Sequence, residues 1–284
     1  MALLETKNLT FKYGIGTPFE KAAMNNVNLQ INEGEFIGVI GHTGSGKSTL
    51  VQHFNGLIRP TEGQVLFDGK DIWAEPKKIR NIRFKIGLVF QYPEYQLFEE
   101  TCYKDICFGP KNMGLSGDDL HERVIEASEF VGLKPELLEK SPFDLSGGEK
   151  RRVAIAGVIA MDPKILILDE PTAGLDPHGR DVILSQIKQY QRSSGTTVIL
   201  VSHSMEDVAK IADRVLVMNK GKVAMFGTVD EIFSKAEDLR SMGLAIPQVT
   251  RIFIKLKHMG YDVNSAIYDT NTGTNEVLKL LKKI

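Results

Sequence analysis

Residues 41–49 read GHTGSGKST, a spacing of glycine, lysine and hydroxyl groups suited to holding a polyphosphate. They follow the apolar run FIGVI (36–40) and open STLVQHFNGL (48–57), whose apolar spacing is helical. A strand feeding a glycine loop and then a helix is the setting this motif requires. Gly41, Gly44 and Gly46 let backbone N–H groups of the loop, which also holds His42, Thr43, Ser45 and Thr49, curl around phosphate oxygens. The helix N-terminus adds partial positive charge. Lys47 is placed for the β- and γ-phosphates and Ser48 for Mg²⁺. ATP with Mg²⁺ is the ligand this chemistry fits.

Further along, KILILDEP (164–171) is an apolar strand ending in two adjacent carboxylates. Asp169 at its end is a candidate Mg²⁺ ligand, and Glu170 a candidate general base for an attacking water. His203 ends TTVILVSH at another strand's carboxyl end, where ligands bind in open α/β sheets. It is the histidine expected to act; the side chains of His42, His53, His121, His178 and His258 read as packing or surface residues. Gln91, after IGLVF, offers an amide oxygen to the metal or the water.

LSGGEKRRVAIAG (145–157) poses a different problem. Ser146 with Glu149 three residues on is a capping box. Capping alone does not call for Gly147 and Gly148, because glycine costs up to about 1 kcal/mol inside a helix. The pair suggests that something large, such as a phosphate, approaches the backbone. Since the first loop already wraps one nucleotide, this second helix start is expected to serve the nucleotide of another subunit, two copies facing head to tail.

The elements that must position these groups alternate. FIGVI, IGLVF, KILILD, TTVILVS and RVLVMN are buried-strand patterns separated by helical stretches, which indicates a mostly parallel sheet covered on both faces. Residues 3–40 read as short alternating strands, and QVLFDGKDI (64–72) as a hairpin around Asp68-Gly69. Residues 102–145 are helical in pattern, as are 234–284, with YDTNTGTN (268–275) as a polar link between helices. On TRIFIKLKHMG (250–260), Ile252, Leu256 and Met259 share a face. KKIRNIRFK (77–85) reads as a solvated helix face.

Composition excludes several classes. A net charge of −1 gives no basic footprint for nucleic acid. Two cysteines, Cys102 and Cys107, make neither a disulfide scaffold nor a zinc site. The start MALLETKNLTFKY lacks the pattern of a signal peptide, and the longest apolar stretch, VAIAGVIAM, falls well short of the roughly 20 residues that span a bilayer. Any membrane role therefore needs another chain to do the spanning.

The ordered set GHTGSGKST, LVFQ, LSGGE, ILILDEP, AGLDP and LVSH resembles the ATP-binding-cassette (ABC) ATPases over about residues 3–233. The resemblance implies an α/β P-loop domain over 1–233: a mostly parallel core, an antiparallel β subdomain and an inserted helical subdomain at about 92–162. A small helical extension, 234–284, follows. It assigns Tyr13 to adenine stacking, Gln91 to the Q-loop, Ser146–Glu149 to the signature and Asp176 to the dimer seam. Glu149 departs from the glutamine usual at that place, which removes an amide donor. More narrowly, GTPFEKAAMNNVNL, FQYPEYQLFEETCYKDICFGP and SPFDLSGGEKRR resemble energy-coupling factor transporter ATPases of the EcfA/CbiO type, the second member of the usual unlike pair.

That likeness implies an ATP-hydrolysing subunit of a membrane importer for vitamins or metal ions, peripheral on the cytoplasmic face of the cell membrane. Its expected partners are a second ABC ATPase, a paralogue, an EcfT-type transmembrane coupler and substrate-binding membrane subunits (S components), with no nucleic acid. Another ABC transporter, or a soluble cassette acting on ribosomes or nucleic acid, is the alternative. In YPEYQLFEET, Glu94, Glu99 and Glu100 among aromatics suggest a socket for arginines of the coupler.

Overall fold

The computed structural model describes residues 2–264 and 267–282. Ten strands run in chain order: β1 (Ala2–Tyr13), β2 (Lys21–Asn32), β3 (Phe36–Ile40), β4 (Glu62–Phe67), β5 (Lys70–Asp71), β6 (Ile86–Val89), β7 (Ile165–Asp169), β8 (Thr197–Val201), β9 (Arg214–Asn219) and β10 (Lys222–Thr228). They form an antiparallel sheet in the order β2-β1-β4-β5 and a six-stranded sheet in the order β10-β9-β3-β8-β7-β6. In the second sheet only the β9–β10 pair is antiparallel. Where short strands were expected before residue 40, β1 and β2 are each 12 residues long. Register shifts around Leu9 and Phe11 break the alternation that a longer strand would show.

Every residue of β3, β7 and β8 is buried, as a sheet covered on both faces demands. Alternation then decides which core each side chain enters. Ile165 and Ile167 pack toward the antiparallel sheet and α1 (Lys47–Phe54). Leu166 and Leu168 pack toward α3 (Cys102–Asn112), α4 (Gly117–Phe130), α5 (Gly147–Ile159) and α6 (Pro177–Ser194). The short α2 (Ile79–Lys85) carries the basic run on its surface and buries none of its residues. Cys102 and Cys107 are free thiols inside the α3 packing, where burial pushes both upward, Cys102 to about 11.

A third core lies under α7 (Met205–Ile211), α8 (Val229–Phe233) and α9 (Ala236–Ser241). It runs from Ile40 and Val217 through Phe233 to Leu239, Leu244 and Ile246, so packing continues across the boundary expected at residue 233. Beyond it, α10 (Gln248–His258) and α11 (Thr270–Lys282) enclose Phe253, Val263 and Ile267. The link expected at 268–275 is helix from Thr270 onward, and residues 265–266 and 283–284 of the expected extension lie outside the described residues. α10 turns Phe253 and Thr250 inward; Ile252 and Met259 of the face read from sequence are exposed. This unit sits on the core: the Gln248 N–H donates to Glu206, and the Tyr268 hydroxyl donates to Asp230 while its ring lies 5.9 Å from that of Phe233. Among the described residues no helix is long and apolar enough to cross a membrane.

Candidate active site

At the carboxyl ends of β3, β7 and β8 lies a cavity of about 600 Å³. Its lining includes Tyr13, His42, Thr43, Gly44, Gly46, Lys47, Ser48, Thr49, Gln91, Asp169, Glu170 and His203, groups from distant parts of the chain that the sequence had singled out separately. Gly41 and Ser45 lie behind this lining. A Cβ on Gly41 would come within 2.5 Å of both the Met218 carbonyl and Ser45 Oγ, so only glycine lets the loop press against β9. Gly46 has φ 104° at the N-cap of α1, and a Cβ there would strike Met24 and the Ala23 carbonyl. The first N–H groups of α1, on Lys47, Ser48 and Thr49 of the lining, are left without helical partners. Lys47 is buried and folds back on the loop, donating to the carbonyls of Gly41 (2.6 Å) and His42 (3.2 Å). Burial lowers its pKa, and the charges of Glu170 and Asp169 oppose that. Tyr13 is half exposed, with its hydroxyl 3.2 Å from Thr49 Oγ1.

Across from the loop, burial raises the Asp169 carboxyl, while a hydrogen bond from Ser48 and the Lys47 charge restrain it. Glu170 is buried and held at φ 53°, a left-handed conformation that costs a glutamate of order 1–3 kcal/mol. Its Oε2 accepts the His203 backbone N–H at 3.3 Å. Oε1 is 3.3 Å from His203 Nε2 in a geometry that makes no hydrogen bond, so a buried oxygen is left open. Burial pushes this carboxyl from 4.5 to about 7, against the hydrogen bond from His203. Burial also lowers the His203 pKa, leaving it neutral at pH 7. A carboxyl poised near neutrality with one open oxygen has the properties a general base needs. Ser48, Asp169 and Gln91 could complete a Mg²⁺ site with phosphate and water, since Mg²⁺ takes few protein ligands.

Ser146–Glu149 do not line this cavity. Ser146 caps α5 as expected: its N–H and hydroxyl both donate to Glu149 Oε2 (2.9 and 2.7 Å), and its Oγ accepts the Glu149 N–H (3.4 Å). Among the described residues, apart from its chain neighbours and the backbone of its own helix, nothing lies within 4 Å of a Cβ built on Gly147 or Gly148, so packing against the rest of the chain does not require either glycine. Asp176 caps α6 through the Gly179 N–H. One turn into α5, Arg151 is nearly fully buried. It forks onto Glu94 (2.8 and 3.2 Å) and donates to the carbonyls of Pro171 (3.1 Å) and Ala173 (2.5 Å). Glu94 is therefore engaged inside the chain rather than free for a partner's arginine, and Glu100 pairs with Lys104. The aromatics nearby remain open: Tyr92, Tyr95, Phe98 and Phe108 are exposed. Sequence reasoning missed Arg151 and also Lys21, Ala22, Ala23, Lys220 and Gly221, all five of which line the cavity.

A protein-family model described as ABC transporter matches residues 24–173. The chain belongs to the ABC transporter ATPases. It is 54% identical over 280 residues to "Energy-coupling factor transporter ATP-binding protein EcfA2" of Clostridium perfringens, covering 98% of each chain. The namesake from Clostridium tetani is 55% identical over 278 residues, covering 98% of this chain and 96% of that one. Among solved structures, cbiO1 from Clostridium perfringens, part of the ABC transporter complex cbiONQ, superposes with a TM-score of 0.75 at 41% identity, over 84% of this chain and 94% of that one. The cassette MJ0796, a dimer in a post-hydrolysis state bound to ADP and Pi, gives 0.72 at 31% identity over 80% and 98%. These relatives identify the chain as an ATP-hydrolysing transporter subunit of the energy-coupling factor type.

Proposed function

We propose that this chain is the ATP-driven half of a motor that powers an energy-coupling factor importer, closing on a second ABC ATPase around ATP. The observation that carries the reading is a division. One cavity gathers Tyr13, the phosphate loop, Gln91, Asp169, Glu170 and His203, while the glycine-flanked Ser146 lies outside it with open space around Gly147 and Gly148. Each chain thus holds half of a site, and its mate supplies the other half.

In this reading Tyr13 stacks on adenine, and the amides of residues 41–49 with Lys47 hold the phosphates. Ser48, Asp169 and Gln91 would hold Mg²⁺, which would neutralise phosphate charge. Glu170 takes the proton of the attacking water, with His203 keeping that carboxylate in register through its backbone N–H. Ser146–Glu149, on the start of α5, meet the nucleotide of the mate. Residues 1–233 form the ATPase unit, its helical part about 92–162, and 234–284 an extension seated on it.

The exposed Tyr92, Tyr95, Phe98 and Phe108, beside Glu99 and Glu100, suit a cytoplasmic helix of an EcfT-type transmembrane coupler serving substrate-binding membrane subunits. The chain would then sit peripherally on the cytoplasmic face, and vitamins or metal ions would be the cargo. The test assembles Lys47→Ala and Ser146→Ala chains separately with the unchanged second ATPase: Lys47→Ala should lose nucleotide at this chain's own cavity, whereas Ser146→Ala should keep it and lose turnover at the mate's nucleotide. Full activity of a strictly monomeric chain would overturn the proposal.

A further inference from the structure

The hairpin between β9 and β10 brings an unassigned cation to the cavity. Lys220 and Gly221 are its two-residue turn, and both line the cavity with Lys47. Their φ values are 48° and 73°, the successive left-handed pair that such a hairpin requires. Asparagine or glycine takes the first of these places readily; lysine does so only under strain.

The surroundings hold that strain in place. The Gly221 N–H donates to the Ser45 carbonyl at 3.0 Å, and the Gly221 carbonyl accepts from the Asn25 N–H at 2.9 Å. His42 Nε2 lies 3.2 Å from Asn219 Oδ1. The turn is thereby joined to the phosphate loop on one side and to β2 on the other. A Cβ on Gly221 would sit 2.6 Å from the Ala23 carbonyl, so this closeness is built into the residue types.

Strand order sets the direction of the charge. The phosphate loop leaves β3, with β8 and β7 on one side and β9 on the other. Asp169, Glu170 and His203 stand on the first flank, whereas Lys220 stands on the second, toward Lys21 of β2. We propose that Lys220 is a nucleotide-binding residue. Its ammonium meets the part of the polyphosphate lying away from the Asp169–Glu170 flank, and the strained turn keeps it there. The proposal rests on reading the cavity as the ATP site.

ADP binding to the full-length chain, measured by calorimetry at low and at physiological ionic strength, tests it. Lys220→Asn should raise the ADP Kd about fivefold at low salt, with the gap narrowing as salt screens an exposed charge. The same variant should melt higher without nucleotide, because asparagine suits the turn. Lys220→Arg should keep the affinity, and Lys222→Gln, exposed two residues on, should change neither quantity. A merely structural lysine would not move affinity and stability in opposite directions. Unchanged ADP affinity in Lys220→Asn, or an equal loss in Lys222→Gln, overturns the proposal. Lys47→Ala separates the two levels. If it too binds ADP like the wild type, the site reading falls and this inference with it. If it loses binding while Lys220→Asn does not, this inference alone falls.

Discussion

Replacing Glu170 by glutamine should stabilise the empty protein at alkaline pH while removing its turnover. The carboxyl is buried, and its pKa stands at about 7 against 4.5 in an unfolded chain. Below pH 4.5 it is protonated in both states and costs nothing. As pH rises from 4.5 to about 7 the unfolded chain ionises first, so stability is lost across that window and stays lost above it. At 1.36 kcal/mol per pH unit the loss amounts to about 3 kcal/mol. Glutamine does not titrate and can still accept the His203 N–H. Glu170→Gln should therefore exceed the wild type by up to about 3 kcal/mol at pH 8, or about 5 °C in melting temperature. The two should converge near pH 4.5. Thermal melts from pH 4.5 to 8, without nucleotide and with a chelator present, measure the gap. A constant gap, or a variant less stable at pH 8, would refute the argument that burial of this charge is what destabilises the resting site. With Mg²⁺ and ATP the same variant should bind, accumulate as a closed dimer and hydrolyse little; near-normal hydrolysis would remove Glu170 from the role of base.

Glu94→Ala would leave the Arg151 guanidinium buried with only two carbonyls for company, a loss of about 3 kcal/mol or more. Urea unfolding should show this for alanine and a smaller loss for Glu94→Gln, whose amide oxygen still accepts; equal, negligible losses would contradict it. Gly46→Ala places a methyl group against Met24 and the Ala23 carbonyl at a left-handed φ, so it should cost about 2 kcal/mol and abolish ADP binding. Calorimetry and a melt on the same sample check both.

Local geometry in this chain was legible where it depends on neighbours in sequence. Ser146 with Glu149, the 41–49 loop and the Asp68-Gly69 hairpin are local devices, and each has the form its residue types dictate. Contacts that join distant segments were not legible. Glu94 reads as a surface acid because its partner stands 57 residues away. The tail misled for another reason. TNTGTN is poor helix material, yet α11 begins there, with Asp269 accepting the Thr272 N–H at 2.8 Å. Gly273 then lets it close on α10: a Cβ there would lie 2.8 Å from Val249 and 3.1 Å from Phe253. Tertiary packing overrides propensity in such cases. α10 carries two apolar stripes, and the bulk of Phe253 selects the inner one.

Backbone strain locates the site independently of any motif. Among the described residues, seven non-glycines have positive φ: Asn8, Asn26, Asp68, Tyr92, Asp162, Glu170 and Lys220. Asparagine and aspartate enter that region readily, because a short polar side chain bonds to its own backbone. That accounts for four. Tyr92, Glu170 and Lys220 have no such excuse, and all three lie just past the carboxyl ends of strands: β6, β7 and β9 in turn. Those ends are where ligands meet an open α/β sheet. The sheet supplies the rigidity that keeps unfavourable conformations populated, since paired, buried strands on both sides fix where each chain segment must leave. What the strain accomplishes differs at each place. It turns Glu170 back toward His203, holds Lys220 against the phosphate loop, and starts the exposed aromatic segment immediately after Gln91. A motif search finds the first of these from DEP alone. The lysine has no motif, and its misfit in a turn that asparagine would fill better is the signal that it is there for the ligand.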